Sequence, residues 1–181
     1  VVVERDESPF KVDPSKIPTL RPAFVKDGSV TAATSSSISD GAAALVLMRQ
    51  SEARKRGLTP IATVVAHATF SREPEWFTLA PVGAIGKVLT KAGWQTASVD
   101  LYEINEAFAV VTMAAMKEHG IPHDKVNLHG GAVALGHPIG ASGARVLVTL
   151  LGALRRTGGK RGVASLCIGG GEATAIAVEM V

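Results

Sequence analysis

Apolar positions along the chain fall into short continuous runs separated by stretches with helical spacing. Ala42–Met48 is a continuous apolar run, short enough for a buried strand. Ser51 suits an N-cap, residues 52–56 a short helix and Gly57 its C′ position, with Thr59-Pro60 closing it. Ile61–Ala68 is apolar on both faces, which predicts a parallel strand covered on both sides, with His67 satisfied inside the core. From Pro81 to Ala92, the residues Val82, Ile85, Val88, Leu89 and Ala92 recur at helical spacing, Pro81 fits the first position and Gly93 the end. Val99–Ile104 reads as a strand that runs straight into Asn105-Glu106-Ala107-Phe108. Phe108, Val111, Thr112 and Ala115 share one face of the next helix, which stops at Gly120-Ile121-Pro122. Val126–Leu128 is a short strand. The helix from Ser142 to Arg156 is apolar nearly all round and predicts burial, its last turn carrying the solvated pair Arg155 and Arg156. Val163–Ile168 and Glu172–Val181, separated by three glycines, read as an antiparallel hairpin.

Strands alternating with helices predict a layered α/β fold with a mostly parallel sheet. The first 25 residues differ: Pro9, Pro14, Pro18 and Pro22 among charged residues exclude a long helix or a central strand and leave an extended arm. Asp27-Gly28 is a turn signal. Thr34-Ser35-Ser36-Ser37 is a polar loop, either a plain surface loop or a hydroxyl-lined binding edge.

Composition narrows the class. With 181 residues, 46% apolar but only 4% aromatic, the chain can build a core of Ala, Val, Leu and Ile, which suits helices packed closely on a sheet. A net charge of +3 is too weak to argue for nucleic acid. One cysteine excludes an internal disulfide framework and fits a reducing compartment. No apolar run reaches membrane-spanning length and the first residues are no signal peptide, so a cytoplasmic location and no membrane partner are expected. His119, His123 and His129 lack zinc-site spacing, so no metal is expected.

The candidate chemistry lies in three loops. The glycine-rich stretch 129–143 holds His137 between Gly136 and Pro138, a tightly specified backbone from which an imidazole can reach a cleft. Asn105 stands where a strand ends and a helix begins, the place at which open α/β sheets bind ligands, although Asn also serves there as a simple N-cap. Cys167 precedes Gly169, whose N–H lies in a glycine turn, although a lone cysteine is more often just a small buried residue. Brought together, a thiol, an imidazole, an amide and a free N–H are the parts thioester chemistry needs: a base, a proton carrier and oxyanion donors. A Cys–His hydrolase built on Cys167 and His137 is the rival enzyme class, but no orienting group is specified for it.

Three segments carry a resemblance. Asn105-Glu106-Ala107-Phe108, Gly136-His137-Pro138-x-Gly140-x-Ser142-Gly143 and Cys167-x-Gly169-Gly170-Gly171 resemble the carboxy-terminal signatures of the thiolases, in the family's order and spacing. Residues 27–32 and 39–44 are similar to an upstream thiolase segment, so the resemblance covers essentially the whole chain.

The resemblance implies an α-β-α layered thiolase-fold half with a mixed sheet, and an acyl-CoA C-acyltransferase of acyl-CoA metabolism, with a coenzyme A thioester as substrate and no cofactor. His137 would activate a nucleophilic cysteine and contribute to an oxyanion hole, and Asn105 would hold a water in that hole. Cys167 would move the proton at the substrate α-carbon, and the N–H of Gly169 would form a second oxyanion hole. Ser36 would contact the pantetheine arm, although Thr34 replaces an asparagine usual nearby, while Phe77 and Phe108 would face the substrate. Thiolases have about twice this length, and their nucleophilic cysteine lies in the first half. The single Cys167 matches the other one. The chain is therefore expected to comprise the end of a loop region (1–38), the last elements of the amino-terminal half (39–59) and the carboxy-terminal domain (60–181). Its expected partners are acyl-CoA, a missing amino-terminal half and further copies of itself. The alternative is an inactive half whose only activity is pairing.

Overall fold

A computed structural model describes Val2 and residues 4–181, without the side chains of Pro9 and Lys11. In chain order the elements are α1 (Ser8–Lys11), α2 (Gln50–Lys55), β1 (Ala62–Ser71), α3 (Ala80–Ala92), β2 (Leu101–Ile104), α4 (Ala109–His119), α5 (Ala132–Leu135), α6 (Ser142–Thr157), β3 (Arg161–Ile168) and β4 (Glu172–Met180). The four strands form one sheet in the order β1-β4-β3-β2. The sheet is mixed, but the expected parallel majority is not found: β1 pairs antiparallel with β4, β4 antiparallel with β3, and only β3 with β2 is parallel. The glycine turn 169–171 is the cause. It folds β4 straight back on β3, with Ile168 opposite Glu172 and Gly170 and Gly171 at φ of 90° and 92°.

Helices cover the sheet on both faces. On one side, α3 and α4 bury Ile85, Val88, Leu89, Val111 and Ala115 against Tyr102, Ile104, Val163 and Ala175. On the other, α6 buries Val146, Leu150 and Leu154 against Leu101, Ala164 and Val178. Small residues permit close approach, because a Cβ on Gly162 of β3 would sit 2.8 Å from a Leu154 methyl and 2.9 Å from Leu150. Here β3 is buried along most of its length, as befits a strand between two helical layers.

Several local expectations give way. β1 is an edge strand with most side chains exposed, and His67 with them, because β4 pairs its inner side only. Residues 42–48 form no strand, since an apolar run becomes a strand only when another strand accepts its hydrogen bonds. Val46 and Leu47 are 87% and 68% exposed. Residues 126–128 make a single parallel bridge, Val126 to Tyr102. α6 is amphipathic, with Val148 exposed, because only one flank lies on the sheet. α2 starts one residue before Ser51, and Gly57 follows its end at φ 66°. Among the described residues of the first 25, α1 and a short 3-10 turn (Pro14–Thr19) occur and no strand, while Gly28 closes its turn onto the Val25 carbonyl.

Candidate active site

The parallel pairing of β2 and β3 decides the site. Parallel strands end at the same sheet edge, so Asn105, just past β2, and Cys167, near the end of β3, reach one edge, with Ile104 paired to Ser165. The Asn105 N–H donates to the Ser165 carbonyl at 2.9 Å, extending the ladder by one residue. Asn105 does not cap α4. Phe108 takes that position, and Asn105 is only 1% exposed.

His137 arrives on the long return from α4. Gly136 before it adopts φ 90°, ψ 166°, a region open in practice only to glycine, and a Cβ there would strike the Ser39 hydroxyl. The loop is clamped to the strap 35–39: the His137 N–H donates to the Ser37 carbonyl at 2.9 Å, and His137 bridges Ile38. Ser36 holds the same strap from the other side, its N–H and hydroxyl both donating to the Ala107 carbonyl at 3.1 and 2.9 Å.

The hydrogen-bond network assigns the imidazole tautomer. Ser142 Oγ donates its one proton to the Pro138 carbonyl at 3.1 Å, so at 2.6 Å it accepts from His137 Nδ1–H. Nε2 is then left with its lone pair. Asn105 Nδ2 lies 3.4 Å from Nε2, a long contact. Arg145 Nη2 donates to Asn105 Oδ1 at 3.2 Å, which orients the amide with its NH₂ toward the imidazole. Burial, then the charge of Arg145, holds the His137 pKa below its ordinary value, so the ring is a neutral base near neutral pH. Burial raises the Cys167 pKa, so its resting form is the thiol.

A pocket of about 220 Å³ opens at this edge, lined by His137, Cys167, Gly169, Phe77, Ala107 and Ile139 among others. Phe108 does not line it; it stands edge-on behind Phe77, with centroids 6.2 Å apart, and against Phe24 at 5.8 Å. A more open groove of about 370 Å³ runs alongside, between residues 39–43 and 138–141. Among the described residues no group of three His, Cys, Asp or Glu side chains is placed to hold a metal ion, and His119 bonds the Val82 carbonyl at 2.8 Å instead.

Four further residues support the site. Glu103, 2% exposed on β2, faces Arg145 at 3.9 Å. Its pKa is pushed up to about 7 by burial, against the opposing charge of Arg145 and with help from Glu106. Asn127, at φ 49°, closes on β2 with its amide, accepting from Ile104 N–H at 2.8 Å and donating to Ile104 C=O at 2.9 Å. Glu106 accepts from Asn127 Nδ2 at 2.9 Å and from Val133 N–H at 3.2 Å, tying the strand end to the histidine loop. A Cβ on Gly131 would collide with that carboxylate. The alternation of Glu103 on β2 with Asn105 just past its end, and the spacing of Ser142 and Arg145 on α6, are the signals the sequence offers.

Residues 58–180 match the family model "Thiolase, C-terminal domain", and residues 1–51 match "Thiolase, N-terminal domain". The chain belongs to the thiolase family. This thiolase chain is 52% identical over 182 residues to acetyl-CoA acetyltransferase 1 of Arabidopsis thaliana, covering 100% of itself but 44% of that relative. The crystal structure of the Bacillus anthracis acetyl-CoA acetyltransferase superposes with a TM-score of 0.94 at 44% identity, over 100% of this chain and 46% of that one. The Ascaris suum Acat5 thiolase, solved in complex with coenzyme A, gives 0.86 at 40% identity, over 99% and 47%. The thiolase chain thus spans less than half the length of the relatives it matches. No described helix is long and apolar enough to cross a membrane.

Proposed function

We propose that this chain supplies the base, the proton carrier and the oxyanion donors of an acyl-CoA C-acyltransferase acting on 3-ketoacyl-CoA and acetyl-CoA. The observation that carries this is the meeting of a neutral imidazole, a protonated thiol and the Gly169 turn around one pocket. Cys167 is a poor nucleophile as a buried thiol, so the acyl-accepting thiolate comes from another segment, the amino-terminal thiolase half.

In thiolysis, His137 Nε2 takes that thiol's proton and the thiolate attacks the 3-keto carbon. Asn105 and His137 support the oxyanion, Asn105 through a bridging water. The bond between the α-carbon and the keto carbon breaks, its electron pair stays on the acetyl-CoA carbon, and the Cys167 S–H delivers a proton there. A second coenzyme A then gives its thiol proton to the Cys167 thiolate and attacks the acyl-enzyme, whose carbonyl oxygen faces the Gly169 N–H; the nucleophile leaves as a thiolate, recovers its proton from the His137 imidazolium, and the shortened acyl-CoA is released. Condensation is the reverse. Ser36 borders the path of the pantetheine arm, and Phe77, backed by Phe108, walls the acyl end. We place this enzyme in the cytoplasm, in acyl-CoA and fatty acid metabolism, as a homo-oligomer without a resident cofactor.

Thiolysis of acetoacetyl-CoA tests the proposal, with this chain alone and mixed with a thiolase amino-terminal segment bearing the nucleophile. No turnover alone and turnover in the mixture, lost in His137→Ala, is expected. Turnover by the chain alone through an acyl group on Cys167 would overturn the assignment in favour of the hydrolase-like reading. Binding without turnover in the mixture would favour a pairing subunit.

A further inference from the structure

We infer that Arg145 is a positioning residue for the base, gripping Asn105 so that its amide and the imidazole of His137 keep one fixed orientation. This rests on His137 being the base of the proposed reaction. Arg145 and Ser142 lie three residues apart on α6, hence on the same face one turn apart. Ser142 accepts from His137 Nδ1–H, and Arg145 donates to the Asn105 oxygen. One rigid helix therefore sets both the tautomer of the base and the direction of the amide behind it.

An ordinary buried ion pair does not describe this arginine. Its separation from Glu103 is 3.9 Å, beyond hydrogen-bond range, whereas its grip on Asn105 is 3.2 Å. Its Nε and Nη1 make no hydrogen bond, so the Asn105 contact is its one directional bond among the described residues. If the guanidinium is lost, nothing else in this network fixes Asn105 Oδ1. The amide is then free to turn its oxygen toward Nε2, where two acceptors would repel and the histidine would be driven to the other tautomer or to the imidazolium. The Arg145 charge acts in the same sense, disfavouring imidazolium. The other titratable groups on the elements around His137 are Glu103 on β2, Glu106 after it, and Cys167 on β3.

Nuclear magnetic resonance on the 181-residue chain labelled with ¹⁵N-histidine and ¹⁵N-asparagine tests this. The wild type should show the Nδ1–H tautomer of His137. Arg145→Met should raise the His137 titration midpoint and mix the tautomers. Arg145→Lys keeps the charge without the fork, so the midpoint should stay low while the Asn105 side-chain amide resonances move. An unchanged midpoint and tautomer in Arg145→Met would overturn the inference. If that variant does not fold, unmoved Asn105 amide resonances in Arg145→Lys do the same. None of these readouts needs acyl-CoA. A chain that titrates as expected but gives no turnover in the mixing assay removes the acyltransferase reading and leaves the positioning role standing.

Discussion

At the scale of single residues, the site separates three jobs that look alike on paper. On the mechanism proposed above, His137→Ala would remove the thiol's base and an oxyanion donor together, so in the assembled enzyme both acyl transfer and α-proton exchange should fall. Cys167→Ala should leave acyl transfer to the nucleophile partly intact and suppress proton exchange at the α-carbon of acetyl-CoA. Asn105→Ala should be milder, about 10²–10³ in rate, the usual effect of losing one oxyanion contact. Trapping the acyl-enzyme by mass spectrometry, with deuterium exchange into acetyl-CoA, reads the two steps apart; equal loss of both steps in Cys167→Ala contradicts the assignment. Glu103 offers a test by pH. Its folded pKa of about 7 lies above the ordinary carboxylate value, so the folded state holds this proton more tightly than the unfolded one. The associated stability is present at low pH and is lost as pH rises through about 7. Glu103→Gln cannot ionise. Its Tm relative to wild type should therefore rise between pH 5 and pH 8, a window set by that pKa. A difference that stays constant with pH would show that Glu103 does not carry this proton.

At the scale of elements, what could be read from sequence was whatever a local rule controls. The helical spacing of residues 81–92, the glycine stops at Gly93 and Gly120 and the hairpin at 169–171 all appear in the structure. Strand direction and exposure were not readable in this way, because they depend on which strand lies alongside. Ile61–Ala68 has the apolar content of a central parallel strand, yet it is an antiparallel edge. Asn105, His137 and Cys167 were singled out by residue type and flanking glycine or strand ends. Arg145, Glu103 and Asn127 carry no such local mark, because their roles depend on contacts made from other elements. The loop before α6 shows how one backbone position carries that arrangement. Gly136→Ala meets both a disfavoured φ and the Ser39 side chain, so a stability loss of about 1–3 kcal/mol is expected, from the usual cost of such backbone strain. The urea midpoint measures it. The same variant should weaken the His137 grip on the strap, read as altered His137 resonances. A Gly136→Ala midpoint equal to wild type would mean the loop readily adopts another path.

At the scale of the whole molecule, the apolar surface is unevenly distributed. Both sheet faces are covered, but Ile38, Val46 and Leu47 are 91%, 87% and 68% exposed, and Ile139 beside the groove is 69% exposed. Ile38 and Ile139 border one region, since Ile38 bridges His137 and residues 39–43 face 138–141 across the groove, and the chain runs on from that groove into Val46 and Leu47. Scattered exposed apolar side chains are normal, but a contiguous set marks a surface that takes a partner. Each square ångström left in water forgoes roughly 25 cal/mol, so covering a few hundred is worth several kcal/mol. Among the described residues, none makes a backbone–backbone hydrogen bond to residues 42–48, so another chain can satisfy those groups. The chain on its own should therefore self-associate through the surface of residues 38–48. Sedimentation velocity across a wide range of concentrations should show a rising average mass. Val46→Asp with Leu47→Asp should return it toward the monomer without lowering the Tm, because neither side chain packs in the core. Adding the amino-terminal thiolase segment should compete with self-association for the same surface. A wild-type chain that sediments as a monomer at every concentration would contradict this, and residues 42–48 would then be an ordinary exposed loop.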